Sequence, residues 1–141
     1  MNAMVELPRN VRLNNPGNID RNSIVWHGMS PLQDDPRFVR FVAPQWGFRA
    51  MARIINGHFR AGLVTIHQLI GDPNDGWAPA NENDVGAYVT DVATRMRVGI
   101  DETLALPQQL LSLLKSIAIH EGGCPWADSI VQLGIDLERS A

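Results

Sequence analysis

The sequence has a single cysteine, Cys124, which excludes an intrachain disulfide and the multi-cysteine zinc patterns. It has no run of Lys and Arg. Its 12 basic and 15 acidic residues leave a net charge of −3, with a pI near 5.7. Sequence-independent binding to nucleic acid needs clustered cations, so nucleic acid is not an expected partner. The charge does not favour a polyanionic polymer either, and any glycan would have to be held by a local cleft. No stretch approaches the roughly 20 apolar residues of a membrane span, and Met1 to Arg9 lacks the apolar core of a signal peptide. The expectation is a chain made in the cytoplasm that binds no membrane and is delivered to its site of action by something else. The histidines, His27, His58, His67 and His120, show no H-E-x-x-H or Cys-His spacing, so neither a metal nor a cofactor is expected.

The 141 residues are 45% hydrophobic and 19% charged, which fits one ordinary domain. A domain of about 150 residues buries about two thirds of its unfolded surface and needs no metal or disulfide to hold it. Residues 1–44 lack a helical period and are punctuated by Asn14-Asn15-Pro16-Gly17-Asn18 and Asp34-Asp35-Pro36. Two runs there, Ser23 to His27 and Arg37 to Val42, are rich in β-branched and aromatic residues and predict a small antiparallel hairpin. From 45 to 141 the period is helical. Met51, Ile54, Ile55 and Phe59 define a helix closing at Gly62, and Thr65 caps a short one ending at Gly71. Val85, Tyr88, Val89, Val92 and Met96 form the stripe of a third, capped near Asn83 and stopped by Gly99. Pro107 opens a fourth lined by Leu110, Leu113, Leu114, Ile117 and Ala118, ending at Gly122-Gly123. A fifth starts at Pro125, with Trp126, Ile130, Leu133 and Leu137 on one face. The fold class expected is mainly α, a helical lobe with a small N-terminal β lobe.

Extending the row Leu110, Leu114, Ile117 by one further step of four reaches Glu121, on the buried face of the last helical turn. Desolvation and the negative end of the helix dipole would both raise the pKa of a carboxyl there. A carboxyl kept protonated near neutral pH can act as general acid in glycoside cleavage. A glutamate at a helix end can also turn out to solvent where the helix frays, and the spacing does not choose between the two.

Several segments carry a resemblance. The run Arg12-Leu13-Asn14-Asn15-Pro16-Gly17-Asn18-Ile19 is followed by Trp26 with Gly28, then Phe38, Phe41, Gly47, Arg49, Ala50 and Met51. Trp77-Ala78-Pro79, Glu82-Asn83-Asp84 and Ala87-Tyr88-Val89 come next, and Ala118-Ile119-His120-Glu121-Gly122-Gly123 closes the series. In that order they resemble the R-N-N-N-P-G-N-I, W-x-G, F-x-x-F…G-x-R-A-M, W-A-P-P-x-E-N-D and H-E-N-G motifs of a family of phage and prophage virion-associated, lysozyme-like proteins. Leu13 and Gly122 stand where that pattern has asparagine, Ala80 where it has proline and Val85 where it has threonine.

The resemblance implies cleavage of peptidoglycan glycan strands, by a muramidase or a lytic transglycosylase, with Glu121 as the acid and other virion proteins as further partners. Because the β lobe precedes the helix that ends at Glu121, it also implies a circularly permuted lysozyme-like arrangement. Glu82, before the third helix, is the competing catalytic carboxylate; the N-terminal dipole would lower its pKa and suit it to a base or an electrostatic stabiliser. Its bland role is support of the helix start. Asp20 is the nearest second carboxylate, with Asp34 and Asp35 behind it. For substrate, Asn14, Asn15 and Asn18 offer amides to sugar hydroxyls and acetamido groups, and Trp26, Trp77 and Tyr88 offer faces to pyranose rings. The same asparagines beside Pro16-Gly17 suit turns, and Tyr88 suits core packing. Two other classes remain: a non-catalytic virion or wall-binding module, and a peptidase using Cys124 at a helix start with His120.

Overall fold

The computed structural model describes residues 6–78 and 84–140. It is mainly helical: α1 (Arg9–Arg12), α2 (Pro44–Arg60), α3 (Ile66–Gly71), α4 (Val85–Met96), α5 (Leu110–Glu121) and α6 (Asp128–Arg139). No helix among the described residues is long and apolar enough to cross a membrane.

The segment between α1 and α2 folds by side-chain staples more than by strand pairing. Asn14 and Asn18 take left-handed backbone angles, φ 51° and 50°, which asparagine tolerates better than most residues. The fully buried Asn15 holds the turn from inside. Its amide donates to the carbonyls of Ile19 and Val39 at 3.0 and 2.8 Å, and its oxygen accepts from the Ile19 amide at 2.9 Å. The expected hairpin is reduced to two isolated antiparallel bridges, Asp20 with Phe38 and Met29 with Phe41. Residues 37–42 do pair, but with 19–21 and 28–30; the run from Ser23 to His27 joins no strand, and Val25 stands 83% exposed. Asp35 explains the second turn. It accepts the amides of Arg37 and Phe38 and a forked pair of bonds from Arg9 at 2.8 and 2.6 Å.

The helical periods predict the elements well and their ends less well. Thr65 caps α3 through the Gln68 amide at 3.1 Å. Asp84 caps α4 through the Ala87 amide at 2.8 Å, and α4 ends on Arg97 in the left-handed region, two residues before Gly99. α5 begins at Leu110, three residues after Pro107, which lies in the preceding turn. α6 begins at Asp128, not at Pro125. Its buried face is Val131, Gly134 and Ile135, and Leu133 is 41% exposed. Gly134 accounts for that shift of face. A Cβ there would lie 2.5 Å from the Phe48 Cβ and 2.8 Å from the Gln45 carbonyl, so α6 crosses α2 at backbone distance where no apolar side chain fits. This is the most extensive helix pair, while α4 packs on both α3 and α5. Trp126 meets Phe48 edge-on at 5.4 Å. Met51, Ile55, Ile66, Leu69, Val92, Leu113, Leu114, Ile117 and Val131 make up the centre of the core.

Candidate active site

The C-terminal end of α5 is anchored by Asn10. This residue is fully buried, and its amide donates to the carbonyls of Pro16, Ala118 and Gly123 at 3.1, 3.2 and 3.0 Å. One side chain thereby ties the N-terminal turn to the last turn of the helix. Gly122 follows from that packing, since a Cβ on it would fall 2.4 Å from the Asn10 oxygen.

Glu121 is the last residue of α5 and is half-buried. Its Oε1 accepts from the Asn18 amide at 2.9 Å, and its Oε2 accepts from the Tyr88 hydroxyl at 2.6 Å. A hydroxyl can also accept, so the Tyr88 contact survives in either protonation state of the carboxyl. Tyr88 itself is held on both sides. It is buried at 1% exposure on α4, and its ring lies against that of His120 at 3.8 Å between centroids. His120 bonds Asp91 at 2.8 Å through Nδ1. Burial pushes the Asp91 carboxyl up, but hydrogen bonds from His120 and Arg95 outweigh it and leave the group below its ordinary value.

Glu121 opens onto a cleft of about 270 Å³, whose wall also includes Asn18, Asp20, Arg37, His58 and Trp77. Trp77 is fixed by its indole N–H, which donates to the Gly17 carbonyl at 3.3 Å. Asp20 is exposed and pairs with Arg37 at 3.0 Å. Of the residues the sequence singled out, Glu121, Asn18, Asp20 and Trp77 therefore share one cleft.

Others have different tasks. Asn15 is enclosed by its turn, and Asn14 donates to the Phe41 carbonyl at 3.1 Å, away from the cleft wall. Trp26 is buried at 9% exposure, and Tyr88 reaches Glu121 through its hydroxyl while its face is covered by His120. Neither offers a ring face to a sugar in this cleft. Asp35 is held well below the usual carboxylate range by the hydrogen bonds from Arg9, against the effect of burial, and Asp34 pairs with Arg40 at 2.8 Å. Glu82 lies outside the described residues, as does Asn83, the expected cap of the third helix.

Cys124 lies four residues ahead of α6 and not in its first turn, and burial pushes its thiol up. His120 is turned to Asp91. Sequence reasoning missed Asn10, Arg37 and His58. Asn10 carries no periodic signal, and Arg37 and His58 come from a turn and from the flank of α2, whose neighbours only the fold reveals. Among the described residues, no cluster of His, Cys, Asp and Glu could hold a metal ion.

No protein-family profile matches the chain. It is 30% identical over 135 residues to Protein P5 of Pseudoalteromonas phage PM2, an alignment that covers 93% of this chain and 82% of that protein.

Proposed function

The chain belongs to the family of Protein P5 of Pseudoalteromonas phage PM2, and with that phage lineage as premise we propose that it cleaves the glycan strands of bacterial peptidoglycan, with Glu121 as proton donor. One observation carries the reading: a glutamate at a helix end, oriented by Asn18 and Tyr88, in the wall of a cleft that also holds an indole. The bonded carboxyl gives its proton to the oxygen that leaves C1 of the amino sugar as the C1–O bond breaks. Asn18 comes from the N-terminal segment and Glu121 from the end of α5, and their 2.9 Å contact supports a permuted lysozyme-like arrangement.

The second step also has support. The other carboxylate lining the cleft among the described residues, Asp20, is tied to Arg37. That favours attack on C1 by the sugar's own hydroxyl, whose proton returns to Glu121, over attack by a carboxylate. Virion association, with delivery to the wall by the particle, fits the phage lineage.

Purified peptidoglycan incubated with the protein, followed by mass spectrometry of the soluble fragments, tests bond and chemistry together. Intramolecular cleavage gives anhydro-sugar ends, lighter by one water than hydrolytic ends. Intact glycan with cut peptides would overturn the reading. Binding to insoluble wall without release of fragments would replace it with a wall-binding virion module.

A further inference from the structure

A second cleft, of about 350 Å³, lies between α2 and the exposed stretch before Gly28. It is lined by Arg49 and Arg53 of α2 and by Ile24, Val25, Trp26 and His27. Arg49 is 4% exposed, yet no described residue forms a hydrogen bond or a close ion pair with its guanidinium. A buried cation without a partner is costly and is rarely retained without one. Arg53 lies one helical turn away on the same face, which places two like charges side by side. Trp26 adds a third donor in need of an acceptor. Its indole Nε1 is buried without a hydrogen-bond partner.

The two guanidiniums in this wall are donors only, and beside them lie Trp26 and the imidazole of His27. Among the described residues, no carboxylate lines the cleft. Glu138, which accepts from Asn56 at 3.3 Å, acts on Arg49 through space without forming an ion pair with it. Ile24 and Val25 supply an exposed apolar edge.

We propose that this cleft is a phosphate-binding site, in which Arg49 and Arg53 share a dianionic phosphate group beside the Trp26 indole. A dianion matches both cations, which a monocarboxylate does not, and guanidinium pairs well with tetrahedral oxyanions. The apolar edge suits a phosphate carried on a hydrocarbon body. None of the residues that line this cleft, from the stretch before Gly28 or from α2, lines the Glu121 cleft. The proposal does not depend on wall cleavage.

The test follows the Trp26 indole N–H resonance, assigned with Trp26→Phe, in two-dimensional ¹⁵N spectra of the full chain. Sodium phosphate, sodium acetate and butyl phosphate are titrated slightly above neutral pH, against sodium chloride at matched ionic strength. Phosphate should shift the resonance saturably, and acetate should bind at least roughly tenfold more weakly, as expected for the loss of a charge-assisted contact. Arg53→Gln, at an exposed position that should leave the fold intact, should weaken phosphate by roughly tenfold, and Arg49→Gln should abolish the shift. Tighter binding of butyl phosphate would assign the natural source to a phosphate on an apolar body, and equal binding to free phosphate. A resonance that follows chloride and phosphate alike, acetate as tight as phosphate, or an Arg53→Gln protein that binds as wild type would each overturn the assignment.

Discussion

Replacing Asn10 with alanine isolates what holds the end of α5 in place. The amide of Asn10 bonds the carbonyls of Pro16, Ala118 and Gly123. The Ala118 oxygen keeps the amides of Gly122 and Gly123 at 3.1 and 3.0 Å, so the substitution deprives chiefly Pro16 and Gly123. Each lost bond is worth about 1 kcal/mol, and each carbonyl left buried without a donor costs about 1–3 kcal/mol. Against this, the Asn10 oxygen is itself buried without a partner, and its removal returns part of the loss. The net destabilisation is about 2 kcal/mol, or about 6 °C in Tm for a domain of this length. Urea unfolding at constant m-value, with a thermal melt alongside, measures it. Asn10→Asp should be worse than alanine, because it places a carboxylate against three carbonyl oxygens. A loss below about 0.5 kcal/mol in Asn10→Ala, the usual size of a surface substitution, would refute the anchoring role. So would an aspartate variant more stable than the alanine one.

Tyr88→Phe removes the hydroxyl from Glu121 and keeps the stack on His120; lysis should fall by roughly tenfold or more while stability changes by only about 1 kcal/mol, read by turbidity and by melting. Gly134→Ala forces a Cβ to within 2.9 Å of the Arg49 amide nitrogen and closer still to Phe48, so the overpacking loss of about 1–3 kcal/mol should exceed the gain of about 1 kcal/mol in helix propensity, as a lower Tm. Asp35 has a depressed folded pKa, so its contribution is full above the unfolded value of about 3.9 and is lost as pH falls below it. The Tm difference between wild type and Asp35→Asn should therefore be largest near neutral pH and shrink under acid; a difference independent of pH would contradict the Arg9 pairing.

The helical half was legible because burial imposes a period near 3.6, and the apolar row through Leu110, Leu114 and Ile117 pointed to Glu121. Where the period misled, a backbone contact had replaced a side chain, as at Gly134 in α6. The N-terminal half was less readable. A β-branched run such as Ser23 to His27 signals burial in a sheet, yet here the pairing was set by staples from Asn15 and Asp35, which no period records. The asparagine-rich turn was visible, but only the fold separated Asn18, which reaches Glu121, from Asn15, which is enclosed. Asn10 bonds Ala118 and Gly123 across more than a hundred residues, and nothing local to it announces that contact.

Glu121→Gln tests the central claim most directly, since it keeps the volume and shape of the side chain and removes the proton it can donate. The initial rate of soluble fragment release from purified peptidoglycan is measured for wild type, Glu121→Gln and Glu82→Gln, each first shown to be folded by its melt. The account predicts a fall of ~10²–10⁴ for Glu121→Gln, the range for loss of a general acid, with Tm unchanged or raised. Full activity in Glu121→Gln, with the loss confined to Glu82→Gln, would contradict it and move the acid to the other carboxylate.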